Sequence, residues 1–152
     1  MSDAEPTPET SSGLDDDVVY RVVTAESVIF DLSDASPFVH LMESGAPFRY
    51  LSIPIALPEA QALHNAMSGI EGRRPGTHEL VTAIIGRLQA DVIAVRIVRY
   101  EQGVFFADLD LMTAKGRQRF DCRTSDAIII ALRQKVPAPI LCAEEVLANI
   151  YS

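Results

Sequence analysis

The sequence contains no tryptophan, and aromatic residues make up only 7% of its 152 positions. Hydrophobic residues nevertheless reach 48%, so we expect one domain with a core of aliphatic side chains. No apolar run approaches the roughly 20 residues of a membrane-spanning helix. The first residues also lack the basic and apolar regions of a secretory signal. These absences predict a cytoplasmic protein without a membrane segment.

Cysteine is scarce, with Cys122 and Cys142 as the two examples in the chain. Their spacing is not the C-x-x-C of zinc or redox sites, so we expect free thiols that pack as small apolar residues. The sequence also lacks a P-loop, a G-x-G-x-x-G fingerprint, a G-x-S-x-G elbow and an H-E-x-x-H pair. Any chemistry must therefore depend on other residues.

Basic residues are absent from the first 17 positions, which hold six of the 21 acids. Because residues 1–16 are rich in proline, serine and threonine, we expect them to form a disordered acidic tail, followed by a folded domain over 17–152. Residues 71–135 have the opposite balance, with 11 of the 13 basic residues against eight acids, a surplus of three. Arginine predominates, and its planar guanidinium binds phosphate in a bidentate manner. An anionic ligand fits this segment, although a solvated arginine-rich face is the common alternative.

The apolar pattern predicts an α+β fold, with helices packed on an antiparallel or mixed sheet in a single domain. Runs of strands followed by runs of helices favour this class over a doubly wound parallel sheet. A bend is expected near Ala25–Glu26, and Gln102–Gly103 is expected to turn a hairpin. We expect strands over 18–32, 37–44 and 48–55, a hairpin over 91–112, and strands over 117–122 and 139–142. We expect helices over 57–67, 77–89, 124–136 and 143–151.

Two predicted helix starts, Arg74–Glu79 and Arg123–Asp126, have similar chemistry. Each has an arginine just before the helix, a hydroxyl expected at the N-cap (Thr77 and Ser125), and an acid in the first turn. A helix start presents unpaired N–H groups and partial positive charge, which suits a phosphate-sized anion when arginine lies beside it.

Phosphodiester cleavage needs an anion clamp, a metal or base, and a proton donor, and these segments contain residues for each role. For the clamp we expect the arginines and hydroxyls of both segments, which are Arg74, Thr77, Arg123 and Ser125. His78 is the candidate proton donor, and it joins Glu79 and Asp126 as candidate catalytic residues. The candidate ligands for Mg²⁺ or Mn²⁺ are Glu79, Asp121 and Asp126.

An alternative explanation needs no catalysis. Hydroxyls and acids at helix starts commonly act as caps, each worth about 1 kcal/mol, and the arginines could pair with those acids. The domain would then be a non-catalytic module that binds a protein or a small anion and forms a homodimer through a sheet face. Of Phe105 and Phe106, which point to opposite faces of a strand, at least one is expected in the core, and nothing in the sequence marks the other as a base-stacking platform.

The two motifs resemble those of the bifunctional nuclease domain family. RPGTHEL (74–80) follows the family's Arg-Pro-x-Thr-His-Asp-Leu stretch with Glu79 in place of Asp. DCRTSDA (121–127) follows its Asp-Ala-Arg-Pro-Ser-Asp-Ala stretch, with Cys122 for Ala and Thr124 for Pro. VFFADL (104–109) resembles the family's hairpin step, and the likeness extends over about 18–150. It implies an α+β fold and, from the plant members, nuclease activity on RNA and DNA.

Overall fold

The computed structural model describes residues 17–30 and 36–151. The predicted acidic tail, residues 1–16, lies outside these described residues. Within them the strands are β1 Tyr20–Phe30, β2 Pro37–Glu43, β3 Tyr50–Pro54, β4 Asp91–Glu101, β5 Val104–Thr113, β6 Gly116–Arg123 and β7 Ile140–Ala143. The helices are α1 Leu57–Met67, α2 Thr77–Arg87, α3 Thr124–Leu132 and α4 Glu144–Ile150. Every predicted element is present, which confirms the order of strands and helices.

The strands of the described residues form one sheet in the order β3-β2-β1-β7-β4-β5-β6. It consists of two antiparallel meanders, β1–β3 and β4–β6, with β7 between them. Strand β7 pairs antiparallel with β1 and parallel with β4, so the sheet is mixed and the α+β prediction is confirmed. The chain therefore completes its sheet with its last strand, at the centre.

Local sequence accounts for the turns and bends of the sheet. Gln102 and Gly103 both have positive φ, at 51° and 82°, as a tight hairpin turn that follows strand twist requires. The register of β1 against β2 shifts between Ala25 and Ser27, where the sequence predicts a bend. Such a bulge bends the strand and increases its local twist.

Helix α3 lies at the centre of the core. It packs on β4, β5 and β6, and against α1 and α2. Its apolar side chains are almost completely buried, as expected for a helix that is apolar on every side. The helix ends at Leu132, four residues earlier than predicted, because the amides of Gln134 and Ala138 both turn back to the carbonyl of Ala131 instead of continuing the helical pattern.

Helix α2 is covered less completely than its apolar pattern suggests. Val81 and Ile85 face the core. Leu80, Ile84 and Leu88 form a stripe beside them that is 54%, 48% and 73% exposed. The helix therefore uses one edge of its apolar face for packing.

A buried ion cluster connects four parts of the chain. Glu43 at the end of β2 is 2% exposed, and Arg49, just before β3, contacts its carboxylate at 2.8 Å. Arg49 also contacts Glu144 of α4 at 2.6 Å, and Arg21 of β1 contacts Glu43 at 3.0 Å. Charges that leave water need such partners, so the cluster holds α4 against the first meander.

Both cysteines are free thiols, as predicted. Burial raises the pKa of Cys142 to about 12 and that of Cys122 to about 11, so both remain protonated near neutral pH. Of the helices in the described residues, none has the length and apolar character to cross a membrane.

Candidate functional site

The two predicted helix starts open onto the same cleft, which has a volume of about 610 Å³. Helix α3 contacts α2 and α1, and this packing places the first turns of α2 and α3 beside the start of α1. The predicted site residues that line the cleft are Arg74, Thr77, His78, Glu79, Arg123 and Asp126. The structure thus brings together segments that lie more than 40 positions apart in the sequence.

The N-cap predictions are wrong by one or two residues. Gly76 is the N-cap of α2, since its extended backbone precedes Thr77 and its carbonyl accepts the first helical bond from Leu80. Arg123 is the N-cap of α3, because β6 runs directly into the helix. Neither cap makes a side-chain cap bond. Glu79 and Asp126 are therefore each the third residue of their helix, where the helix dipole favours a carboxylate.

His78 and Asp126 form a direct pair. His78 Nε2 lies 2.8 Å from Asp126 Oδ1, and the side chains are 16% and 24% exposed. When His78 carries its proton on Nε2, that N–H is donated to the carboxylate and Nδ1 is left as an acceptor. When the ring is doubly protonated, Nδ1 is a second donor. The pair thus orients an imidazole that can hold or release a proton.

Arg123 lies on the other side of the same carboxylate. Its Nε donates to Asp126 Oδ2 at 2.7 Å, and its Nη2 donates to Asp126 Oδ1 at 3.2 Å. The Arg123 side chain is nevertheless 64% exposed, so it can contact a ligand while it holds the acid. Burial acts to raise the pKa of Asp126, but the hydrogen bonds from Arg123 and His78 outweigh it and keep that pKa below its ordinary value.

Glu59, in the first turn of α1, is a member of the site that the sequence analysis does not include. Its Oε1 accepts a hydrogen bond from Arg123 Nη2 at 2.9 Å. Its Oε2 is buried and has no hydrogen-bond partner in the described part of the chain. An orphaned carboxylate oxygen beside a cleft is costly, and a donor from a ligand or from water would satisfy it. The pair joins residues 64 positions apart, a contact that no local pattern signals.

The other basic side chains of the cleft differ in their pairing. Arg133 Nη2 donates to the Ile70 carbonyl at 2.7 Å and lies 3.8 Å from Glu79 Oε1. Arg74 is exposed, and among the described residues no ion pair involves it. The cleft therefore has one arginine available for an anion and a second, Arg123, that is exposed but shared with acids.

Asp121 and Ser125 are not among the residues that line this cleft. Asp121 lies in β6 opposite Asp108 of β5. Ser125 is 7% exposed and lines a separate groove. The first turn of α3 thus directs Asp126 into the cleft and Ser125 into that groove, so the predicted role of Ser125 in phosphate binding is separate from this cleft.

The proposed metal ligands do not assemble. No group of three histidine, cysteine, aspartate or glutamate side chains suited to a metal ion exists among residues 17–30 and 36–151. Both oxygens of Asp126 already accept hydrogen bonds from His78 and Arg123. The residues present thus do not fit the three-carboxylate site expected for Mg²⁺ or Mn²⁺.

Comparison with known proteins identifies a family for most of the chain. The model of the bifunctional nuclease domain matches residues 39–151. This match includes both helix starts and all four helices of the described residues.

Individual relatives cover a smaller part. An uncharacterized protein of Mycobacterium tuberculosis is 40% identical over 101 residues, which are 66% of this chain and 58% of that protein. Bifunctional nuclease 2 of Arabidopsis thaliana is 31% identical over 108 residues, which are 69% of this chain and 32% of that protein. Bifunctional nuclease 1 of the same plant is 29% identical over 102 residues, 65% of this chain and 31% of that protein. The chain thus spans less than two thirds of each of these relatives.

Proposed function

This chain belongs to the bifunctional nuclease domain family, and we propose that it hydrolyses phosphodiester bonds of RNA or DNA at the cleft between α1, α2 and α3. The observation that carries the proposal is the contact of His78 and Arg123 with the same carboxylate, Asp126, in an open cleft. A phosphate clamp and a proton-transfer group are thereby held side by side, as this reaction needs.

Phosphate binding is assigned to the arginines. Arg74 approaches the anion without a competing acid, and Arg123 turns its exposed guanidinium edge to a phosphate oxygen while it keeps Asp126. The cleft has three arginines and three acids among its lining residues, Arg74, Arg123 and Arg133 against Glu59, Glu79 and Asp126. With His78 protonated the lining is positive by one charge, so binding of a phosphodiester should favour the imidazolium.

Proton transfer is assigned to His78. Asp126 accepts one N–H of the imidazolium and stabilises its charge, and the other N–H donates its proton to the leaving oxygen as the P–O bond breaks. A water supplies the new P–O bond, and Glu79 is the candidate base that takes the water's proton. Asp126 acts through His78. The lowered pKa of Asp126 keeps its carboxylate ionised throughout the pH range in which histidine ordinarily titrates.

A divalent metal remains a separate proposal. No step above passes through it, because the expected ligand set is not assembled. Cleavage of a labelled strand in chelator, in Mg²⁺ and in Mn²⁺ tests the requirement directly. Full activity in chelator would remove the metal from the proposal, and activity restored only by Mn²⁺ or Mg²⁺ would establish it.

The proposed activity is tested by cleavage of a labelled single strand by His78→Gln and by the matched control His64→Gln. His64 is an exposed histidine of α1 that does not line the cleft. We expect His78→Gln to lose about 100-fold in rate, the usual contribution of general acid catalysis, and His64→Gln to cleave like wild type. Equal cleavage by all three proteins would show that the activity comes from another site or from a contaminant.

The non-catalytic alternative has one observation in its favour, which is that Arg123 is already paired with two carboxylates. If this pairing is its role, Arg123→Gln should lower the melting temperature substantially and change nothing else. In the nuclease, the same variant also loses the stabilisation that bound inorganic phosphate gives to wild type, because Arg123 then contacts the anion. Melting curves with and without inorganic phosphate distinguish the two.

A further inference from the structure

A second cleft of about 610 Å³ lies on another part of the surface and is lined by aromatic rings. Tyr50 comes from β3, Tyr100 and Phe105 flank the β4–β5 turn, and Tyr151 follows α4. The three tyrosines are 50%, 43% and 45% exposed. In a chain in which only 7% of residues are aromatic, four such rings around one cleft are a concentration that core packing does not require.

These rings are held in place before any ligand arrives. The Tyr151 hydroxyl donates to the Tyr50 carbonyl at 2.8 Å and accepts from the Tyr50 amide at 2.9 Å. The rings of Tyr100 and Phe105 are 4.6 Å apart at 46°. Rigid aromatic side chains lose little conformational entropy when they bind, and such preorganisation favours affinity.

A groove connects this aromatic cleft to the candidate active site. It has a volume of about 230 Å³ and shares Pro54, Gly103 and Phe105 with the aromatic cleft. Arg123 lines both the groove and the catalytic cleft. One continuous surface thus runs from the guanidinium of Arg123 past Phe105 to Tyr100.

Acidic residues are scarce along this surface, although the chain has a net charge of −8. Neither the aromatic cleft nor the groove has an aspartate or glutamate among its described lining residues, and Arg123 is the charged side chain among them. Carboxylates approach this surface at its Arg123 end, through Glu59 and Asp126, and the aromatic end opposes a polyanion with no lining acid among the described residues. Aromatic rings next to a phosphate-binding arginine are the combination with which proteins bind unpaired nucleic acid.

We propose that the aromatic cleft is a base-stacking subsite for single-stranded nucleic acid whose adjoining phosphate lies at Arg123. This proposal rests on the proposed nuclease function and specifies that the substrate is single-stranded. Bases paired in a duplex are stacked on one another and cannot place a face on these rings, so the subsite selects unpaired strands. Ser52 in the same cleft supplies a hydroxyl for a base edge.

The test compares two labelled strands of about eight nucleotides, one with thymine bases and one abasic at every position. Fluorescence anisotropy in chelator measures affinity, and a denaturing gel confirms that the strands stay intact. The variants are Tyr100→Leu, which removes the ring, and Tyr100→Phe, which keeps it. Phe120→Leu is the matched control, because Phe120 is 48% exposed and lies outside the aromatic cleft.

We expect wild type, Tyr100→Phe and Phe120→Leu to bind the thymine strand about tenfold more tightly than the abasic strand, a typical contribution of one stacked base. In Tyr100→Leu the difference should shrink or vanish, while affinity for the abasic strand stays unchanged. Equal affinity of wild type for both strands would overturn the subsite, as would a Tyr100→Leu variant that still discriminates. A wild type that discriminates but never cleaves would instead overturn the nuclease, so the two failures are distinguishable.

Discussion

Arg123 contacts two acids at once, and each contact has a different consequence. The contact with Asp126 orients the pair to His78, whereas the contact with Glu59 competes with any incoming anion for the guanidinium. The other carboxylate oxygen of Glu59 is buried and has no hydrogen-bond partner within residues 17–30 and 36–151. At the scale of residues, Glu59 therefore lowers the affinity of Arg123 for an anion.

From this we predict that Glu59→Gln tightens the binding of inorganic phosphate. The substitution removes a negative charge from beside Arg123, so the guanidinium is held less strongly by residue 59 and is more available to an anion. Isothermal titration measures the affinity, with Glu145→Gln, an exposed acid of α4, as the matched control. Weaker phosphate binding in Glu59→Gln than in the control would mean that Glu59 positions Arg123 for the anion.

Acid sensitivity follows from the buried cluster around Glu43. Hydrogen bonds from Arg49 lower the pKa of Glu43 to about 2 from an ordinary value of 4.5, against the opposing effect of burial. Because the folded pKa lies below the unfolded one, the cluster contributes stability above about pH 4.5 and loses it as the pH falls towards 2.

Urea denaturation at a series of pH values should therefore show a fall in the free energy of unfolding between pH 5 and 3 in wild type. The fall should be smaller in Glu43→Gln, which lacks the titrating group. That variant should also be roughly 3 kcal/mol less stable at neutral pH, because it leaves buried arginine charge with fewer partners. An unchanged pH dependence would place the acid sensitivity elsewhere.

At the scale of elements, α2 and α3 show how far an apolar pattern determines burial. The pattern of α3 is apolar on every side and the helix is buried, as predicted. The pattern of α2 is a broad apolar stripe, yet Leu80, Ile84 and Leu88 are about half exposed or more. A sequence records which side chains are apolar, but the neighbouring elements decide which of them are covered.

This contrast predicts unequal costs for similar substitutions. Ile128→Ala in α3 should lower the free energy of unfolding by about 2–5 kcal/mol, because it leaves a cavity at a fully buried position. Leu88→Ala should change it by less than about 0.5 kcal/mol, since that side chain is mostly in solvent. Urea denaturation measures both, and a large cost at Leu88 would show that the exposed stripe is covered in solution.

The site motifs illustrate the same limit. Their chemistry could be read from the sequence, because an arginine, a hydroxyl residue and an early acid recur at both helix starts. The N-cap residues could not be read from the sequence. Each helix begins where the backbone changes from extended to helical, at Gly76 for α2 and at Arg123 for α3. Asp121 was misplaced because it adjoins the motif in sequence, whereas its strand position sets it opposite Asp108. Glu59 was missed because only the packing of α1 against α3 brings it to Arg123.

At the scale of the whole molecule, the sheet joins two three-stranded meanders through β7. The meanders follow from local sequence, since each consists of neighbours along the chain. The joining of the two meanders into one sheet does not follow from local sequence. It depends on the pairing of Tyr20–Val23 with Ile140–Ala143, segments that lie more than a hundred positions apart. The homodimer named in the non-catalytic alternative stays a prediction.

Central strands exchange their amide hydrogens more slowly than edge strands when their opening requires global unfolding. We therefore expect β7 and its neighbour β4 to be the most protected strands, and the edges β3 and β6 to be the least. Hydrogen exchange followed by mass spectrometry resolves these segments. Rapid exchange in β7 would indicate that the meanders separate without unfolding.

The central position of β7 also bears on how the protein is made. A ribosome releases the two meanders in turn, but the strand that unites them emerges after both. Until residues 140–143 leave the exit tunnel, β1 and β4 each present an unpaired edge to the surrounding solution or to another nascent chain. The yield of folded protein should therefore depend on codons that set the rate of translation before residue 140 and on chaperones that cover the edges of β1 and β4. It should depend less on changes to the surface of the folded protein.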